Sequence, residues 1–121
     1  MRKRILAVGL DPAVVDLSQT PDLTPQLVAA FIEQQLERLR AAGYDVVSCL
    51  VDLGATADAV TAEALGASRF DCVLIGAGLR AAPHLLLFDK LLNLVHERAP
   101  HAKICFNTTP ADSTEAVRRW V

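Results

Sequence analysis

The sequence predicts a doubly wound α/β domain: one parallel sheet of four strands in the order 2-1-3-4, with helices on both faces to give a three-layer α/β/α sandwich. Three observations predict it. Strand-like and helix-like segments alternate along the whole chain, and a parallel strand pair needs a helical crossover between its members. The strand-like segments are near-continuous apolar runs, as expected where both faces of a sheet are covered. The chain has 121 residues, the length of one domain with one core, and residues 1–121 are read as a single domain.

The elements follow in order. "RILAVGL", residues 4–10, is the first strand. A helix is predicted from Thr24 to Ala42, with Thr24 as N-cap, Pro25 at the first helical position and Gly43 as the stop. Leu27, Val28, Phe31, Ile32, Leu36 and Leu39 give it an apolar face. "YDVVSCLVD" is the second strand and "TADAVTAEAL" a short helix ending near Gly66. "FDCVLIG" is the third strand, followed by a helix from Pro83 to about Arg98. "AKICFN" is the fourth strand, and "DSTEAVRRWV" a last helix with Asp112 and Glu115 spaced like a capping box. The segment after the first strand, residues 11–23, is long for a strand-to-helix connection, and such loops are usually functional or mobile.

Composition narrows the class. Hydrophobic residues make up 52% and charged residues 21%, which fits a packed domain and excludes a disordered chain. The net charge of −2 gives no reason to expect nucleic acid or an anionic membrane as partner. The basic start "MRKR" leads into an apolar run that ends at Asp11-Pro12, too short for a signal-peptide core or a membrane span. A cytoplasmic location is expected. Cys49, Cys72 and Cys105 each lie within a strand-like run and are too far apart in sequence for a metal clip, so they read as buried reduced thiols, and no metal site is expected.

The third strand runs into "GAGLRA", residues 76–81, which fits the relaxed dinucleotide fingerprint G-x-G-x-x-G/A. Three features argue against that reading. The turn follows the third strand and not the first. The position where an acidic residue would hold the ribose falls near Asn107. Pro83 delays the helix, so a phosphate would not meet its N-terminus. The turn is read either as a simple chain exit from the sheet or as a close approach to a smaller ligand, and no cofactor is assigned.

"KRILAVGLDP", "AAGYDVV" and "FDCVLIG" resemble a response-regulator receiver domain of flavodoxin-like topology. The resemblance implies the fold and not the phosphoryl chemistry. Only Asp11 stands where receivers carry an acidic pair, and Gly76 occupies the place of the phospho-accepting aspartate. Thr108 matches the hydroxyl residue after the fourth strand, and there is no fifth strand with its lysine. Over nearly the whole length, "FDCVLIGAGLR" and "KICFNTTPADSTEAVRRWV" resemble a small microbial α/β family that brings no established activity.

In open parallel sheets, ligands bind at the carboxyl ends of the strands where strand order reverses. With order 2-1-3-4 that point lies between the first and third strands. Gly9, Leu10 and Asp11 arrive there from the first, Gly76, Gly78 and Arg80 from the third, and Asn107, Thr108 and Thr109 from the fourth. His84 is expected in the first turn of the third helix. Arg80 and the N–H groups of the Gly76–Gly78 turn would suit a small anionic ligand, with Thr108 or Thr109 assisting and Val14, Val15 and Leu17 closing over it. The function expected is a small-ligand-binding or regulatory domain. The alternative is a small enzyme with Asp11 or His84 as acid-base group and Arg80 as anion clamp. A homodimer is expected from the open edge at "KICF" and from the helix of residues 83–98, where Leu85, Phe88, Leu92 and Val95 can face the sheet, Leu87, Leu91 and Leu94 lie to one side and Leu86 lies near the polar face. The alternative is that the last helix and Trp120 cover these leucines.

Overall fold

Strand β1 (Arg4–Leu10) lies inside the sheet, hydrogen-bonded to β2 (Asp45–Val51) on one edge and to β3 (Cys72–Ile75) on the other. Strand β4 (Lys103–Phe106) adds to the far side of β3. All pairings are parallel and the order is β2-β1-β3-β4, as the sequence predicts. These features come from a computed structural model, which describes residues 2–121. The helices are α1 (Pro25–Ala41), α2 (Ala57–Ala67), α3 (Leu85–Arg98) and α4 (Ser113–Arg118), with single turns of 3-10 helix at Pro12–Val14, Ala77–Arg80, Ala82–His84 and Pro110–Asp112.

The period-two alternation of a strand sends successive side chains to opposite faces. Leu6, Val8 and Leu10 meet Cys49, Val51, Val73 and Ile75 beneath α2 and α3. Ile5 and Ala7 meet Cys72, Leu74 and Cys105 beneath α1 and α4. All three cysteines are buried and free, and burial pushes the Cys49 thiol above its ordinary value.

Helix α1 ends as predicted. Thr24 Oγ1 accepts from the Leu27 N–H at 3.1 Å. At the other end Gly43 takes φ 107°, and the Tyr44 N–H reaches the Leu39 carbonyl at 3.2 Å, closing a Schellman motif that needs a residue free of Cβ strain.

Two expectations are corrected. The capping box lies one turn earlier than Asp112 and Glu115. Asp112 Oδ1 accepts from the Thr109 N–H at 3.2 Å, and Thr109 Oγ1 accepts from the Ala111 N–H at the same distance. The cause is the extra 3-10 turn, which places a helical entry before α4 begins. Helix α3 likewise starts at Leu85, after two 3-10 turns, and not at Pro83. Its first turn therefore overhangs the core, and Leu85 and Leu86 are exposed. Leu91 and Val95 are the fully buried residues, and Leu87 and Leu94 pack into the core that α2 shares. Of the leucines expected to need a partner subunit, Leu91 is thus covered within the chain, Leu87 and Leu94 are half-buried against the core that α2 shares, and Leu86 is exposed. Helix α4 packs on the opposite face through Ala116 and Val117, and Trp120 is exposed.

Among the described residues no helix is long and apolar enough to cross a membrane. One enclosed side-chain polar atom lacks a partner among them: Thr61 Oγ1, on α2. The Cys49 thiol is close enough to be influenced by it but stands outside hydrogen-bond geometry. A buried unpaired hydroxyl is destabilising, and an apolar group of the same shape is not. Thr61→Val is therefore expected to raise stability by about 1 kcal/mol, read as a higher urea midpoint with an unchanged slope. A lower midpoint would mean that the hydroxyl has a partner.

Candidate functional site

The carboxyl ends of β1, β3 and β4 do converge, and the residues there are held by a polar latch. Asn107 follows β4 and is 5% exposed. Its Oδ1 accepts from the Ala77 N–H at 2.9 Å and from Arg80 Nη2 at 3.3 Å, while its Nδ2 donates to Ser113 Oγ at 3.1 Å. Ser113 Oγ donates in turn to the Pro110 carbonyl at 2.7 Å. One asparagine thereby ties the turn after β3 to the turn before α4, with every one of these polar groups satisfied.

Arg80 belongs to the same latch. Its Nε donates to the Ile75 carbonyl at 3.2 Å, its Nη2 donates to the Asn107 carbonyl, and its guanidinium lies 4.9 Å from the centre of the Phe106 ring. Burial draws its pKa below the ordinary arginine value, opposed by the charge of Asp112. Several of the other expected anion donors are also engaged. The Gly76 N–H reaches the Val8 carbonyl at 2.9 Å, and the Ala77 N–H is held by Asn107. Thr108 donates its hydroxyl to Asp112 Oδ2 at 2.6 Å, and this bond holds the Asp112 carboxyl below its usual range. Thr109 serves the cap described above.

Asp11 and His84 are also placed. Asp11 Oδ1 accepts from the Ala13 N–H at 2.9 Å, and the Asp11 N–H reaches the Val51 carbonyl at 2.8 Å, so it opens the 3-10 turn after β1. The His84 N–H reaches the Ala81 carbonyl at 2.8 Å, closing the turn before α3. No acid-base pair is formed between them and no group of metal-ligating side chains is present among the described residues.

Beside the latch is a cavity of about 210 Å³ between the sheet and α1. Its floor is the α1 face of the sheet near the strand ends: Ala7, Gly9, Ser48, Leu74 and Gly76. Its roof is Val28, Ile32, Gln35 and Leu36 of α1. Val15 closes one end, and Asn107, Pro110 and Ser113 stand along the β4 side. A Cβ built on Gly9 would meet nothing within 4 Å, so this glycine leaves space that no neighbour fills. Of the residues expected at the site, Gly9, Leu10, Val15, Gly76, Gly78 and Asn107 line the cavity. Asp11, Arg80, His84, Thr108 and Thr109 do not.

Sequence reasoning missed Gln35, Ser48 and Ser113. Gln35 carried a readable signal. It lies at helical spacing within the stripe of Val28, Ile32, Leu36 and Leu39, where a polar residue is out of place. It is 7% exposed.

A wider hollow of about 410 Å³ at the opposite pole lies among Arg2, Arg4, Arg40 and Tyr44. Its arginines are engaged within the chain. Arg2 Nε pairs with Asp45 at 2.7 Å, Arg40 with Glu33 at 2.8 Å, and Arg4 donates to Ser68 Oγ. It reads as a solvated ion-pair surface.

The chain matches no protein-family model, and no curated protein matches it significantly. The fold and site define an open parallel α/β domain with an apolar cavity at the carboxyl ends of its strands, and the functional reading rests on that geometry.

The latch has a direct consequence. Arg80→Ala is expected to lower the melting temperature of the ligand-free protein by several degrees, corresponding to about 2 kcal/mol for losing charge-assisted bonds to two carbonyls. An unchanged melting temperature would show that the guanidinium is free to serve a ligand.

Proposed function

We propose that this protein is a small-molecule-binding domain whose site is the cavity between α1 and the carboxyl ends of β1 and β3. The observation that carries the reading is the cavity itself. Protein interiors are close-packed, and voids larger than a water molecule are few. A hollow of about 210 Å³ is larger than an engineered cavity of about 150 Å³ that takes up benzene. It lies at the end of the sheet where ligands of open parallel folds bind, and it has the apolar lining with a few polar groups that small-molecule sites share.

A binding role fits better than catalysis. The lining contains no carboxylate, imidazole, ammonium, guanidinium or thiol side chain, so no acid-base pair or activated nucleophile faces a molecule held there. Ser48 and Ser113 supply hydroxyls. Ser113 is tied to Pro110 and Asn107.

Gly9→Val tests the reading. Gly9 has an ordinary negative-φ backbone, since Gly43 and Gly54 are the positive-φ glycines among the described residues. A β-branched residue suits an internal strand, and its side chain would enter the cavity. The variant is expected to fold with stability equal to the parent or higher by roughly 0.5–1 kcal/mol. It is also expected to lose the methyl chemical-shift changes at Ala7, Val28 and Ile32 that small apolar compounds produce in the parent. Identical shift changes in parent and variant, or none in the parent across a panel of small apolar compounds, would contradict the proposal.

A further inference from the structure

We propose that the cavity selects an uncharged molecule with an apolar body and one hydrogen-bond acceptor, of the size of a small ketone, lactone or amide, and that Gln35 supplies the donor that recognises it. The inference deepens the binding reading above and rests on it.

Gln35 is 7% exposed and forms part of the cavity roof. Arg38 Nη1 donates to its Oε1 at 2.9 Å. An arginine has no acceptor, so the glutamine oxygen must be the atom that faces it, and this fixes which end of the amide remains. The Nε2 group has no hydrogen-bond partner among the described residues, yet it is not an enclosed orphan, since Thr61 Oγ1 alone has that status among them. It therefore retains accessible surface, and Gln35 borders the cavity. Donation from a cationic guanidinium into Oε1 also polarises the amide, which strengthens the remaining N–H donors.

The other buried polar groups of the wall are more committed. Asn107 spends its oxygen on Ala77 and Arg80 and one of its two N–H groups on Ser113. Ser113 gives its proton to Pro110. Ser48 is exposed on β2, an edge strand. Gln35 Nε2 is the buried side-chain nitrogen of the wall with both of its N–H groups uncommitted.

Charge on the ligand is disfavoured from both sides. No cation lines the cavity to neutralise an anion, and no carboxylate lines it to neutralise a cation, so an ion would be desolvated without a partner. Scaling from benzene in a cavity of about 150 Å³, a molecule of about eight non-hydrogen atoms fills the space.

The test is an NMR titration of the intact protein with four probes of matching size: acetophenone, benzamide, benzoate and cumene. Acetophenone and benzamide are expected to bind about fivefold more tightly than cumene, the increment of one neutral hydrogen bond, and benzoate about tenfold or more weakly than acetophenone. The Gln35 side-chain NH₂ resonances should move with acetophenone and not with cumene. Gln35→Met, which keeps length and apolar volume, should abolish the preference for acetophenone over cumene. Benzoate binding as tightly as acetophenone, or a Gln35 amide that does not respond to acetophenone in the parent protein, would overturn this inference and leave the cavity-binding reading standing. Failure of all four probes to bind would overturn both.

Discussion

Strand β1 is hydrogen-bonded along both edges, over seven residue pairs to β2 and four to β3, and its two faces make unequal demands on the helices. The face toward α2 and α3 carries Leu6, Val8 and Leu10, which keep their bulk to the end of the strand. The face toward α1 tapers from Ile5 through Ala7 to Gly9. Helix α1 does not follow the taper. Near Ile5 it packs tightly, and Leu36 and Leu39 are buried. Toward Gly9 it stands away, and Val28 and Ile32 are only half-buried. A void forfeits dispersion contacts along its whole lining, so a sequence under selection for stability alone would fill this one. The polar latch keeps it from collapsing. Asn107, Arg80 and Ser113 fix the turns after β3 and before α4 at one side of the hollow, with bonds that depend on geometry and not on filling space.

Much of this architecture was legible in the sequence because its causes are local. The apolar runs identify the strands, Thr24, Pro25 and Gly43 bracket α1, and the alternation of elements dictates parallel pairing and the order 2-1-3-4. What was misplaced depends on long-range packing. Nothing near Pro83 says that two 3-10 turns separate it from α3. The assignment of Leu85 to the sheet and Leu91 to a flank follows from that register, since a late start overhangs the first turn and brings Leu91 over the core. The capping box moved for the same reason.

The candidate site was legible as a place and not as a chemistry. The crossover rule brings the ends of β1, β3 and β4 together, and they do converge. Residue identity suggested an anion site, since glycines, an arginine and threonines are the usual components of one. Identity does not reveal whether a donor is already engaged. Arg80, the Gly76 and Ala77 N–H groups and the hydroxyl of Thr108 all find partners inside the fold. The cavity was invisible because it is made of missing volume, contributed by Ala7, Gly9, Ser48 and Gly76 from three different strands or their ends. Gln35 looks polar in a list and becomes informative only as a buried interruption of an apolar stripe.

The central claim is that the taper of β1 leaves a stable, apolar, accessible hollow beneath α1. Diffraction from crystals pressurised with xenon tests it without choosing a ligand, since xenon occupies apolar cavities and adds a strong peak. The account predicts a xenon site enclosed by Ala7, Gly9, Val28 and Leu74, with the backbone of α1 unmoved. Absence of xenon there, with Val28 and Ile32 settled against Gly9, would show that the helix closes onto the sheet and that no such cavity exists.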